Sequence, residues 1–203
     1  MPFDTNRPPY KKRKSRFYEE PEQPLTEEQT KRVLKKMENI CVWYINKSRK
    51  TRKELHDKLR ERRYPQEFIE IVLDKLEASK DIDDAAYAEY FVYSRHEYDR
   101  LGKRSIENKL RMKGVSSDII AEATENIDED EEYENAKYLV ERRLNSTRNL
   151  EPQKRLERLA RFLIGKGYDL GSAFSIVKEV IAEATEAEEA EQSELESPDF
   201  TDE

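Results

Sequence analysis

A single cysteine, Cys41, excludes an internal disulfide, and its apolar neighbours predict a buried thiol rather than a nucleophile. Histidine is nearly as scarce. His56 and His96 are each read as lying among helical surface charges, and no further His or Cys stands at ligand spacing, so no metal site is expected. The acidic run DEDEEYE at 128–134 is read as a solvated helix start rather than a cation site. There is no glycine-rich phosphate loop and no GxSxG, and GKGY at 165–168 is too short and falls at a helix end. The expectation is a non-enzyme without a cofactor. The longest apolar runs, such as Tyr90-Phe91-Val92-Tyr93, are far below a membrane span, and early charges with no apolar leader predict a cytoplasmic protein.

Charge is what the chain has in abundance. Charged residues make up 41% and hydrophobic residues 35%, too polar a balance for one large core but suited to several small helical ones. The net charge of -7 argues against a nucleic-acid partner only if the charge is evenly spread, and it is not. Residues 47–63 carry nine Lys/Arg against three acids, residues 100–113 six against one, and residues 141–167 eight against three. The last 25 residues contain no Lys or Arg. The local field, not the sum, is what a ligand near one patch meets.

Helix signals come in threes. Thr26-Glu27-Glu28-Gln29 is a capping box, followed by an apolar stripe of Val33, Met37, Ile40, Cys41, Tyr44 and Ile45. Thr51 with Glu54 repeats the box and opens a helix with Leu55 and Leu59 inward; Tyr64-Pro65 ends it, and Phe68 to Leu76 form a third. The set restarts at Asp83-Asp84, with Gly102, Gly114 and Ser116 as punctuation, and again near Glu131, with Pro152 opening the middle helix. Ile106 and Leu110 fall 51 positions after Leu55 and Leu59, and Leu159 and Leu163 a further 53. This spacing predicts an all-α fold of three tandem three-helix repeats, over 25–80, 81–128 and 129–184, stacked into an elongated, curved array. Residues 1–24, with the basic run Lys11–Arg16, read as a disordered tail, either an electrostatic arm or a solvated terminus. Residues 185–203 read as an acidic disordered tail.

The middle helices carry cations that packing does not require. Arg52, Lys53, Lys58, Arg60, Arg62 and Arg63 in the first repeat match Lys103, Arg104, Lys109, Arg111 and Lys113 in the second. A third row comes from Lys154, Arg155, Arg158, Arg161 and Lys166. Two readings stay open: solvated faces balanced by acids at helical spacing, as in Glu54–Lys58, or a positive ridge facing a polyanion. If roughly six phosphates were engaged on duplex DNA, affinity would fall with salt at a log–log slope near -5. Tyr87, Tyr90, Tyr93 and Tyr98 fall on one helix and are read mainly as core or rim, although they could stack bases; Trp43 is read as core.

DIDDAAYAEYFVYSR (81–95) and LGKRSIENKLRMKGVSSDII (101–120) resemble the central motifs of the RecX family, and RKELHDKLRERRYPQEFIEIVLDKL (52–76) resembles its opening repeat. The resemblance spans about residues 38–181 and leaves both tails outside it. It implies three three-helix repeats and no catalytic residues or cofactor. The implied activity is binding along the groove of the RecA–single-stranded DNA filament, with inhibition of filament growth, ATP hydrolysis and strand exchange in recombination and DNA repair. The partners implied are the RecA filament and single-stranded DNA, with double-stranded DNA as a further candidate, for a monomer away from membranes. The family's basic motif maps to Arg95, Lys103, Arg104, Lys109, Arg111 and Lys113. Arg63 stands where the family often has glycine, which makes its helix-ending turn costlier. Two other function classes compete: a stand-alone helical DNA-binding protein and a helical-repeat adaptor that binds protein alone.

Overall fold

Both capping boxes form. In the computed structural model, which describes residues 17–196 and side chains through Gln192, the Gln29 N–H donates to Thr26 Oγ1 at 3.3 Å and the Thr26 N–H to Gln29 Oε1 at 2.8 Å. Thr51 and Glu54 exchange the same two bonds at 3.2 Å each. Two orphan donors are thereby satisfied at each start, which fixes where α1 (Glu27–Lys47) and α2 (Arg52–Arg60) begin. Helix α3 (Gln66–Ala78) follows Pro65. The next set is α4 (Asp84–Glu97), α5 (Lys103–Met112) and α6 (Ser117–Glu125), the last capped by Ser116. The third is α7 (Glu129–Leu144), a 3-10 turn at Asn145–Thr147, α8 (Pro152–Lys166) and α9 (Leu170–Glu196). No strand occurs among the described residues.

The chain divides into two compact units, one ending at Asp83 and the other starting at Asp84. The first is one three-helix set around Met37, Cys41, Leu55, Leu59, Ile69, Leu73 and Leu76. Ile82 also packs into this core, so the first unit extends past residue 80. The second unit holds two sets, each with its own core: Ala88, Phe91, Ile106, Leu110 and Ile120 in one, and Val140, Leu159, Leu163, Ala173 and Val177 in the other. Leu55/Leu59, Ile106/Leu110 and Leu159/Leu163 are all fully buried, as their spacing predicts. Burial raises the Cys41 thiol pKa to about 11, which keeps it protonated and inert near neutral pH.

Each middle helix ends on a left-handed residue at the same place in the repeat: Arg63 (φ 65), Gly114 (φ 81) and Gly167 (φ 102). A side chain in that region costs about 1–2 kcal/mol that glycine does not. Arg63→Gly is therefore expected to stabilise the first unit by about 0.5–1 kcal/mol, after allowing for glycine's larger unfolded-state entropy. A urea titration showing no gain, or a loss, would mean that the Arg63 side chain, 5.1 Å over the Phe17 ring, holds more than the backbone strain removes.

Four expectations need correction. Tyr18, which falls within the expected N-terminal tail, is packed: its N–H donates to the Arg62 carbonyl at 2.8 Å, and its ring lies against Tyr64 at 5.3 Å. The basic run Lys11–Arg16 lies outside the described residues. The acidic segment from 185 is helical through Glu196, where a run rich in the good helix formers Ala and Glu continues α9; Arg148 pairs with Glu188 at 3.2 Å. His96 is a core residue at 5% exposure, with Nε2 3.4 Å from the Asn135 amide. Trp43 is half exposed rather than core. It lies two residues, about 200° of helical rotation, from the inward Cys41.

Candidate functional site

Repeats two and three meet through backbone. The Gly102 N–H donates to the Lys166 carbonyl at 3.1 Å, and the Tyr168 hydroxyl to the Arg100 carbonyl at 3.1 Å. Glu132 from α7 accepts the Lys103 N–H at 2.8 Å, supplying the acid that the first turn of α5 lacks. A Cβ on Gly102 would stand 2.6 Å from the Gly167 carbonyl carbon, so the approach requires glycine.

This junction forms the floor beside an open groove of about 990 Å³. Six cations line it, Arg95 from α4, Arg100 from the following loop, Lys109 from α5, Lys113 just beyond it, Arg142 from α7 and Lys166 from α8. Only Glu97 and Asp99 oppose them. Aromatic faces hold several of these cations in place. Tyr138 lies between Arg100, 4.2 Å from its ring centroid, and Arg142, which also donates to its hydroxyl at 3.2 Å. Arg100 adopts φ 47 and is tied down by a bond to Asn135. Lys113 lies 5.5 Å over Tyr87 and 6.0 Å over Phe91, and Arg95 lies 5.1 Å over Phe91 while pairing with Asp99. Met112 and Tyr98 project from the wall, 78% and 75% exposed. Pre-positioned cations beside exposed apolar groups suit an anionic surface that also offers something to pack against.

The groove gathers only Arg95, Lys109 and Lys113 from the candidate residues read in the motifs, with Lys166 from the third row. The others have different surroundings. Arg52 is a hub, bonded to Glu70 and Glu77 at 2.6 Å and to Asp74 at 2.8 Å. Burial acts to lower its pKa, but those three carboxylates outweigh burial and raise it. Lys58 pairs with Glu61 at 2.9 Å, Arg104 with Asp169 at 2.6 Å and Arg161 with Glu157 at 3.1 Å. Lys103 and Arg155 are half-buried, and the Arg155 Nε is buried without a partner. Arg62 leans on Tyr44, with 5.8 Å from its guanidinium carbon to the ring centroid. Lys53, Arg60, Arg63, Arg111 and Arg158 are exposed. Arg100, Tyr138 and Arg142 were absent from that set. The Tyr138-to-Arg142 spacing, one helical turn, is the signal that could have found those two; nothing in the sequence marks Arg100 as their neighbour. Among the described residues, no group of three or more His, Cys, Asp or Glu could hold a metal ion, and no helix is long and apolar enough to cross a membrane.

Fold and groove define a tandem three-helix repeat protein with a cationic, aromatic-lined cleft between two repeats. Three family models match in order: the first three-helix domain of RecX at 39–76, the second at 83–123 and the third at 129–177. The regulatory protein RecX of Streptomyces lividans is 40% identical over 147 residues, covering 72% of this chain and 78% of that protein. The Streptomyces coelicolor protein of the same name is 39% identical over the same shares. A crystal structure of regulatory protein RecX superposes with a TM-score of 0.68 at 28% identity, covering 77% of this chain and 79% of that one. The chain belongs to the RecX family of regulatory proteins.

Proposed function

We propose that this protein is a non-catalytic, monomeric cytoplasmic regulator that binds the RecA–single-stranded DNA filament and restrains its extension, ATP hydrolysis and strand exchange. The observation that carries the reading is the junction groove, whose six cations face two acids within segments that match the family. In this mechanism Arg95, Arg100, Lys109, Lys113, Arg142 and Lys166 meet phosphates or acidic recombinase surface, as guanidinium forks and ammonium charges do. Met112 and Tyr98 pack against the partner and oppose the subunit movement that growth requires. Lys53, Arg60, Arg111 and Arg158, all exposed, add to the positive field on their own units.

The test is a DNA-dependent ATPase assay with the cognate RecA at low salt. Substoichiometric protein is expected to lower the rate, because capping one filament end silences many subunits. Full activity at equimolar protein would reject the proposal. Tight duplex binding without RecA would favour a stand-alone DNA-binding protein, and salt-insensitive association with protein alone would favour an adaptor.

A further inference from the structure

Helix α1 carries a second cationic surface, in the first unit. A groove of about 580 Å³ runs beside it, with Arg32, Lys35, Lys36 and Arg62 around Asn39, Ile40 and Trp43. None of these lining residues is acidic. Positions 32, 35/36, 39/40 and 43 follow one face of the helix, a stripe of about 16 Å at 1.5 Å per residue. Arg32 pairs with Glu28 at 2.5 Å, both of them exposed, and the exposed Lys35 reaches Glu38 at 3.3 Å, a largely covered carboxylate that it shares with Lys75 at 3.0 Å. An exposed pair such as Arg32–Glu28 contributes little and gives way to a better anion, and Lys35 shares its carboxylate with another lysine. Lys47, which is not part of the groove wall, holds its ammonium 3.8 Å from the Trp43 ring centroid. Half of the indole surface is left in solvent on a helix with few other large apolar groups exposed.

A flat exposed indole, a row of cations and a wall free of acids are the parts of a single-strand site. Bases stack on the ring while consecutive phosphates meet the cations, whatever the sequence. An acidic peptide would match the charge, but its apolar anchor needs an enclosed socket, and here the indole lies in an open groove, with Tyr44 edge-on at 4.9 Å and Ile40 beside it. We propose that the α1 groove binds single-stranded nucleic acid without sequence preference, through stacking on Trp43 and phosphate contacts to Arg32, Lys35, Lys36 and Arg62. The site needs no recombinase and does not depend on the junction groove. Three of its cations precede residue 39, where the family match begins.

Trp43 is the only tryptophan in the chain, so its emission reports on this groove alone. Titrating the full protein with an oligothymidylate of about 12 nucleotides should quench that emission saturably, with recovery in salt. Trp43→Ala is expected to weaken binding of a labelled oligothymidylate roughly 10-fold by anisotropy, the loss of one stacked base. The charge reversal Lys35→Glu/Lys36→Glu, at exposed positions where folding can be checked by circular dichroism, should weaken it further. The junction variant Lys109→Glu/Arg142→Glu should leave the quench intact. Unchanged emission while the oligonucleotide binds elsewhere, or no binding at all, overturns the proposal. So does polyglutamate quenching as strongly as DNA, which would make the groove a protein site. No recombinase is present, so this result and the ATPase result succeed or fail separately.

Discussion

Gly167→Ala is expected to destabilise the second unit by about 2–5 kcal/mol, from two sources that act together. Gly167 sits at φ 102, where an L side chain is strained whatever the space around it. The space is also taken: a Cβ there would lie 2.4 Å from both the Ser105 backbone nitrogen and its Cβ, and 2.9 Å from the Gly102 carbonyl oxygen. These are backbone neighbours that cannot rotate away, so α5 and the end of α8 would have to separate. That movement would strain the Gly102–Lys166 bond and disturb the groove beside it. The variant should therefore unfold at lower urea and inhibit RecA less than the parent does. A midpoint shift worth less than about 1 kcal/mol would show that the junction yields more easily than its geometry implies. Arg63→Gly, at the matching position of the first repeat, is expected to change stability in the opposite direction, which makes the pair a test of the repeat itself.

Lys109→Glu/Arg142→Glu is expected to raise the concentration needed for half-inhibition of the RecA ATPase by about 100-fold at low salt. Both residues line the groove from different repeats, so reversing them replaces two of six cations by acids and leaves four against four. If each groove cation neutralises one phosphate of a single strand, the parent's log–log salt slope is about -4, and that of the variant is shallower by at least about 1.4. Lys109 and Arg142 are both exposed, Arg142 beside the Tyr138 ring and hydroxyl, so the variant should fold normally by circular dichroism. Inhibition equal to the parent's at both low and moderate salt would place the recombinase contact away from this groove.

Arg52 shows why the candidate site was only partly legible. It occupies the same place in the first repeat that Lys103 does in the second, and Lys58 the place of Lys109, 51 positions on. Sequence alone ranks all four as surplus cations. The difference comes from α3, which presents Glu70, Asp74 and Glu77 to Arg52, and from Glu61, one turn from Lys58. Among the described residues no carboxylate pairs with Lys109, which opens instead on the aromatic-lined cleft between the second and third repeats. His96 follows the same logic: charged neighbours in sequence suggested a surface, but α7 brings Asn135 over it.

What the sequence determined by itself is local or periodic. Two Thr-x-x-Glu/Gln boxes set helix starts, and apolar residues at helical spacing set the three small cores. A period just above 50 residues counted the repeats, and the central motif placed the chain among its relatives. These are legible because capping and amphipathicity depend on residues within a turn or two of one another. Tertiary structure alone decided which cations are free to act. Whether an arginine meets a carboxylate, an aromatic face or open solvent depends on helices tens of residues away, whose carboxylates carry no mark of the partner they will reach. It also decided that Gly102 and Gly167 must be glycine together, since each excludes a side chain on the other across 65 positions of chain.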